Sequence, residues 1–546
     1  MALSYASGAS SVPLIGQTIG DNFEDSVRRF GDREALVVVH EGKRWTYAQL
    51  NADADRIARR LLAMGLQVGD RLGIWAPNCS AWTMVQYATA KVGVILVNIN
   101  PAYRTHEVEY VLRQSGCRML VAAETFKTSN YRAMIDEVRG ALPDLENVLY
   151  IDTPEWHAWL DGPQAPDSDL RERMAGLSFD DPINIQYTSG TTGFPKGATL
   201  THHNILNNGF FVARGCNYTE QDRVCIPVPL YHCFGMVMGN LGCTTHGATM
   251  VYPAPSFDPL ETLRAVQAER CTSLYGVPTM FIAQLTHPNF AEFDLASLRT
   301  GIMAGSPCPV ETMKQTMSLM NMSEVGICYG MTETSPVSTQ TAADDTIEQR
   351  TGTVGRVHPH VEVKIVDPVT NRCVQRGESG ELCTRGYSVM LGYWNDSEKT
   401  AEAVDAAGWM HTGDLAVMDD AGYINIVGRS KDMIIRGGEN VYPREIEEFL
   451  YSHPDIVDVQ VVGVPDAKYG EEVMAWVRLR EGATPLGIDD VRAFCQGRIA
   501  HYKVPRYVHV VDEFPMTVTG KIQKYKLRDA AVVLLGLEDA AAIRTA

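Results

Sequence analysis

The chain has no long apolar run, no basic excess and no paired cysteines, and each lack removes a class of protein. No stretch approaches the roughly 18 apolar residues that a membrane-spanning helix needs, so no integral membrane segment is expected. Acidic residues outnumber basic ones, 66 to 48, for a formal net charge of −18. That balance argues against nucleic acid as a partner, because a phosphate backbone demands a basic face. Twelve cysteines run from Cys79 to Cys495 without one Cys-x-x-Cys pair, a reduced, intracellular pattern that offers no zinc site. The first 27 residues hold neither Lys nor Arg nor a continuous apolar core, so no secretory signal or Arg-rich transit peptide is expected and the protein is placed in the cytoplasm. What is present is ordinary for a large globular enzyme: 546 residues, 45% hydrophobic and 21% charged.

One stretch is far from ordinary. Tyr187-Thr188-Ser189-Gly190-Thr191-Thr192-Gly193-Phe194-Pro195-Lys196-Gly197 packs four Ser/Thr hydroxyls, three glycines and one lysine into eleven positions. Glycines let backbone N–H groups approach a ligand, hydroxyls add donors or Mg²⁺ ligands, and Lys196 adds a positive charge, so the stretch reads as a phosphate-handling loop. It is not a Walker A loop, because Lys196 follows Pro195 and precedes Gly197, and the dinucleotide Gly-x-Gly-x-x-Gly is missing as well.

Around it, strands and helices alternate. Helices are expected at 22–30, after the cap Thr46, at 81–92 and at 105–114, with strands at 35–40, 71–76, 94–98 and 119–123. This spacing implies a parallel sheet covered on both faces. Residues 153–178, richer in Pro, Asp and Gly, are expected to loop back over the surface. After the loop, strands at 224–228, 248–252, 273–276 and 300–304 and helices at 259–269 and 278–285 imply a second doubly wound sheet. Short strands with Gly, Asp and Asn turns between 353 and 427 indicate a small antiparallel unit, read as a barrel. From about Lys431 a helix at 443–451, strands at 457–464 and 472–480, a helix at 488–498 and a strand at 506–511 form a compact α+β unit. The fold class is therefore α/β, with a large N-terminal domain over 1–429 and a smaller α+β domain over 430–546.

Further clusters of reactive residue types follow predicted strands: 229–235 with His232 and Cys233, Gly305-Ser306-Pro307, and Tyr329-Gly330-Met331-Thr332-Glu333. In open α/β sheets, ligands bind beyond the carboxyl ends of strands, so these clusters are expected to share one site. By residue type alone, Glu333 also fits a helix cap, Asp414 a turn, Arg429 a hairpin charge, Lys521 a plain turn, and His232 a packed structural histidine.

Together with Thr412-Gly413-Asp414, Gly428-Arg429-Ser430-Lys431-Asp432 and Val518-Thr519-Gly520-Lys521, these motifs resemble the superfamily of acyl-CoA synthetases, adenylation domains and luciferases, in order along essentially the whole chain. The segments 380–394 and 431–440 look most like medium-chain fatty acyl-CoA synthetases. The resemblance implies two half reactions. A carboxylate attacks the α-phosphate of Mg-ATP to give acyl-AMP and pyrophosphate, and coenzyme A then displaces AMP. It implies that Thr188, Ser189, Gly190, Thr191, Thr192, Gly193 and Lys196 hold the β- and γ-phosphates, with Thr192 and Glu333 near Mg²⁺. Gly305, Ser306, Pro307, Tyr329 and Gly330 would form the adenine slot, Met331 would also bind ATP, Thr332 would meet the α-phosphate, and Asp414 and Arg429 the ribose. Lys521 would bridge carboxylate and α-phosphate, Lys431 would be a hinge, and Arg436, Gly437, Gly438 and Glu439 would border CoA.

The acyl pocket is expected at His232, Met236, Val237, Met238, Tyr275, Val277, Thr279 and Met303. No Asp stands in 229–239 to pair with an ammonium, and an unpaired buried ammonium is costly, so a hydrocarbon acid is favoured over an amino acid. An aryl or branched acid, transfer to a carrier protein instead of free CoA, and a homodimer stay open.

Overall fold

Met119–Ala122 and Ile95–Asn98 are buried at every position, as expected of parallel strands covered on both faces. They lie in a seven-stranded sheet ordered Gly392–Tyr393, Lys196–Thr201, Pro182–Thr188, Ile95–Asn98, Arg71–Trp75, Met119–Ala122, Asn147–Tyr150. Its five strands from Pro182–Thr188 onward are parallel, and the first two are antiparallel additions. This computed structural model describes residues 2–188, 195–306, 308–429, 432–436, 439–466, 468–484, 486–496, 498–517 and 521–538, without the side chains of Glu439 and Asn440.

A nine-stranded sheet runs Arg356–Val357, Val337–Gln340, Glu324–Gly330, Thr300–Ala304, Ser273–Gly276, Arg223–Cys225, Thr249–Tyr252, Glu34–Val38, Lys43–Thr46. Its centre is parallel and its edges antiparallel. The two sheets are not split between the two halves of the sequence. Glu34–Val38 leaves the early alternating region and pairs with Thr249–Tyr252, because long-range pairing, not chain order, decides which apolar strand joins which sheet. One core draws side chains from both sheets, among them Leu72, Leu96, Met250 and Ile302. The helix Ser80–Val92 contributes to that core and is buried at all of its positions, as a helix enclosed by other layers must be.

Local rules hold at most element ends. Thr46 caps Tyr47–Ala63 through a reciprocal capping box with Gln49. The expected loop at 153–178 instead carries two helices, Pro154–Leu160 and Asp167–Ala175. Several of its Pro and Asp residues begin helices: Pro154 and Asp167 open the two helices, Asp169 lies in the first turn of the second, and Thr153 accepts from Trp156 N–H at 3.2 Å. The antiparallel unit is an open sheet rather than a barrel, ordered Tyr5–Ser7, Val361–Val366, Ser379–Gly386, Met410–Met418, Ile424–Arg429. Its first edge is supplied from the far N-terminus, a pairing of three residues too short to read locally.

Beyond residue 432, Ile456–Asp466 and Gly470–Leu479 form a long hairpin flanked by Ile434–Arg436, Glu439–Val441 and Tyr507–Val510, with the helices Pro443–Tyr451, Ile488–Cys495 and Lys524–Leu535. Its two hydrophobic clusters contain only residues from this part of the chain. It is a smaller C-terminal domain with its own core. Glu448 accepts from Val310 N–H at 3.3 Å and Arg444 donates to Ile426 O at 3.0 Å, linking it to the larger domain. No described helix is long and apolar enough to cross a membrane.

Candidate active site

Three sheets and the C-terminal domain bring their ends together at one place. Thr188 closes the parallel strand Pro182–Thr188 and pairs with Lys196 across the hairpin. Residues 189–194, which include Ser189, Gly190, Thr191, Thr192 and Gly193, lie outside the described residues. Glu333 stands in a one-turn helix directly after Glu324–Gly330 and is 5% exposed. Its Oε1 accepts from Tyr393 Oη at 2.8 Å and lies 3.4 Å from the Thr188 hydroxyl. The Lys196 ammonium sits 4.3 Å from the centre of the Tyr393 ring. Burial and the neighbouring Glu333 carboxylate push the Tyr393 phenol up, so it stays a donor. Glu333 and Thr188 offer hard oxygen donors, the type that suits Mg²⁺.

The opposite end is built on the antiparallel sheet. Asp414 and Arg429 are register partners on Met410–Met418 and Ile424–Arg429, and Arg429 Nε donates to Asp414 Oδ1 at 3.1 Å. Tyr329 donates its hydroxyl to Asp414 Oδ2 at 2.7 Å, so this tyrosine of the expected adenine slot also holds the expected ribose carboxylate. Burial and Asp414 raise the Tyr329 phenol well above its usual range. Gly330 faces Pro336 O so closely that a Cβ would stand 1.8 Å from it, and only glycine fits there. Thr332 is buried beside Glu333, Met331 is half-buried, and its N–H donates to Thr334 Oγ1 at 3.1 Å. Gly305 and Ser306 follow Thr300–Ala304; Pro307 lies outside the described residues.

Lys521 enters from the C-terminal domain held by Thr517, whose N–H donates to Lys521 O at 2.7 Å and whose Oγ1 accepts from Lys521 N–H at 3.1 Å. Its Cε approaches within 3.7 Å of the position a Gly305 Cβ would take. Burial, then Arg429, lowers its ammonium pKa, while Glu333 and Asp414 oppose the shift. The charges of Arg429, Glu333 and Asp414 all act on this one lysine. His232 is pushed down to about 3 by burial and by Lys521. Its Nδ1 accepts from Phe234 N–H at 3.2 Å, which leaves the proton of the neutral ring on Nε2.

Of the expected acyl-pocket residues, Met236, Val237, Met238, Tyr275 and Val277 share one core, and Tyr275 Oη donates to Met238 O at 3.2 Å. Thr279 is half-buried at the start of Pro278–Leu285. Met303 is not with them. It belongs to the cluster on the other face of the nine-stranded sheet, whereas its strand neighbours Ile302 and Ala304 face the shared core. Alternation along a strand is the cause, and its phase was not legible in a strand buried at every position.

Arg436 does not present a free guanidinium. Its Nε and Nη2 grip the fully buried Glu472 at 2.7 and 2.8 Å, and its guanidinium carbon lies 4.4 Å from the centre of the Tyr469 ring. Gly437, Gly438 and Lys431 lie outside the described residues, as does the Glu439 side chain.

Two functional positions escaped the sequence reading. Tyr393 was within a quoted motif but carried no role. Glu381 accepts from Gly413 N–H through Oε1 at 3.0 Å, and its Oε2 lies 2.9 Å from His411 Nδ1. With Cys383 Sγ these atoms lie within 4.8 Å of one another. Both Glu381 oxygens are thus engaged, and the cluster fastens the Thr412–Asp414 segment of the strand Met410–Met418. The period-two spacing of Glu381 and Cys383 was the available signal, but their partner His411 lies 30 residues from Glu381.

Residues 23–394 match the model of the AMP-binding enzyme family and 445–521 that of the AMP-binding enzyme C-terminal domain, so the chain belongs to the AMP-binding enzymes. It is 49% identical to YngI of Bacillus subtilis (strain 168), over 96% of this chain and 99% of that one. It is also 47% identical to the mitochondrial medium-chain acyl-CoA ligase ACSF2 of Danio rerio, over 98% and 92% of the two chains. The fold superposes on the crystal structure of the anthranilate CoA ligase AuaEII in complex with anthranoyl-AMP, with a TM-score of 0.86, 26% identity and coverage of 96% and 99%.

Proposed function

We propose that this chain is an ATP-dependent, AMP-forming fatty acyl-CoA synthetase for acids of medium length. The observation that carries the reading is Lys521 of the C-terminal domain reaching Gly305 beside Glu333, Asp414 and Arg429. An anionic carboxylate must approach a polyphosphate in the first half reaction, so neutralising charge at the α-phosphate is the main task of the site. Lys521 does this between the carboxylate oxygen and the α-phosphate oxygens. Asp414, an acceptor pair held by Tyr329 and Arg429, binds the ribose hydroxyls. Residues 188–196 and Lys196 retain the pyrophosphate that leaves. Mg²⁺ would be held by Glu333 and Thr192 and would neutralise phosphate oxygens. His232, neutral with its proton on Nε2, offers the carboxylate a hydrogen bond rather than a charge.

In the second half reaction the CoA thiolate attacks the acyl carbonyl and AMP leaves. Lys521 must then withdraw, and we assign that motion to a hinge at Lys431, with domains at 1–429 and 430–546. The separate cores on either side of this point support the division. The apolar surroundings of Met236, Met238 and Tyr275 support a hydrocarbon acid. The named medium-chain relative supports its length class. Tyr275 also suits a ring, as in an aryl acid. Twelve unpaired cysteines fit a reducing compartment such as the cytoplasm. AMP and acyl-CoA are measured with Mg-ATP, CoA and straight-chain, branched and aryl acids. A maximum among straight medium chains is expected, and the lack of any CoA-dependent product would reject the reading.

A further inference from the structure

Tyr393 is held in place more firmly than a filler aromatic needs to be. It lies on Gly392–Tyr393, the edge strand of the seven-stranded sheet, opposite Ala198 in register. Three further backbone hydrogen bonds frame it: Leu391 N–H to Thr199 O at 3.0 Å, Trp394 N–H to Gly197 O at 2.7 Å, and Met390 N–H to Glu333 O at 2.9 Å. Its own N–H donates to Thr400 Oγ1 at 2.8 Å. The short segment is therefore stitched on one side to the strand that carries Lys196 and on the other to the turn that carries Glu333. The side chain repeats the pattern. Its hydroxyl donates to Glu333 Oε1 and its face carries the Lys196 ammonium.

We infer that Tyr393 is a positioning residue for the phosphate end of the site, setting Glu333 through its hydroxyl and Lys196 through its ring. This rests on the proposed ligase reading. A phenol that donates to one oxygen of a buried carboxylate fixes the plane of that carboxylate and leaves its remaining lone pairs for a cation. An ammonium over an aromatic face is held by the ring quadrupole without being neutralised, so Lys196 keeps its full charge for phosphate. A direct Lys196–Glu333 ion pair would spend both charges on each other. Tyr393 stands between two opposite charges that are needed separately, one for a divalent cation and one for the leaving pyrophosphate.

The hydroxyl and the ring can be removed one at a time. Tyr393→Phe keeps the ring and its packing, and Tyr393→Leu removes both interactions. Binding of Mn²⁺ in the presence of ATP, followed by electron paramagnetic resonance, reports the cation end without turnover. Tyr393→Phe is expected to weaken it about 10-fold, within the range usual when a partner of a metal ligand is lost. The unfolding midpoint should change little, and so should the KM for pyrophosphate in the reverse reaction. Tyr393→Leu should add a several-fold rise in that KM. Because the hydroxyl acts through Glu333, Tyr393→Phe should cost almost nothing further in a Glu333→Gln background. Wild-type Mn²⁺ affinity in Tyr393→Phe would overturn the inference. So would additive losses in the double variant, or a loss that merely follows a collapse in stability. If the wild type makes no acyl-AMP from any acid, the ligase reading fails, while the Mn²⁺ and ATP measurements still decide the role of Tyr393.

Discussion

The two sides of the site are held in opposite ways. Glu333, Lys196, Asp414 and Arg429 stand on a platform built from three sheets, and each is fixed by a partner on another element. Lys521 comes from a domain with a separate core, held there by Thr517. The platform is set by sheet ladders and buried polar contacts, whereas under the proposed mechanism the lysine is delivered or removed by moving a whole domain. Binding groups needed throughout both half reactions belong on the rigid side, and a charge needed in only one belongs on the other.

The sharpest test of this division removes the delivered charge. Lys521→Ala is expected to cut acyl-AMP formation on the order of 10³-fold, as loss of a charge-stabilising group does. It should leave thioester formation from supplied acyl-AMP near the wild-type rate. Equal losses in both steps would contradict the two-arrangement account. Next in size, Arg436→Ala probes whether the C-terminal domain stands on its own contacts. Glu472 keeps Arg506 Nη1 at 3.3 Å, so losing its bidentate partner should cost about 2 kcal/mol in stability, seen as a lower denaturation midpoint for this domain. A variant with unchanged stability and only a weaker KM for CoA would return Arg436 to the CoA site. Lys431→Pro restricts backbone rotation at the proposed hinge. It should slow the thioester step roughly 10-fold while sparing adenylation, as single-turnover assays of each step would measure.

The platform can be loosened by acid. Burial holds His202 and His358 down to about 3, against about 6.5 in an unfolded chain. Between those values the unfolded state binds more protons, so stability is fully present above about pH 6.5 and falls as pH drops toward 3. Each histidine contributes about 1.4 kcal/mol per pH unit over that window. Thermal unfolding from pH 7 to pH 4 should show this slope, and His358→Asn should flatten it.

Much of the site was legible because its residues cluster locally. Thr188 and Lys196 sit on one hairpin, and the strand ending at Gly330 leads straight into Glu333. Tyr393 was not legible in this way, since its partners lie 60 residues or more away and a Gly-Tyr-Trp segment has no local signature of phosphate binding. Met303 was misassigned to the acyl pocket for a related reason. Every residue of Thr300–Ala304 is buried, so no exposed position marks which face is which.

The order of residues alone fixed the strand and helix alternation, the caps such as Thr46 and the motif set of an AMP-binding enzyme. These depend on dihedral preference, short-range hydrogen bonding and side-chain chemistry, all of which act over a few residues. Only the folded chain decided that Glu34–Val38 joins Thr249–Tyr252, that Tyr5–Ser7 closes a distant sheet, and that Tyr393 stands between Lys196 and Glu333. Those outcomes arise from pairing and packing between segments far apart in sequence, where many apolar strands are locally equivalent and the shared core selects among them.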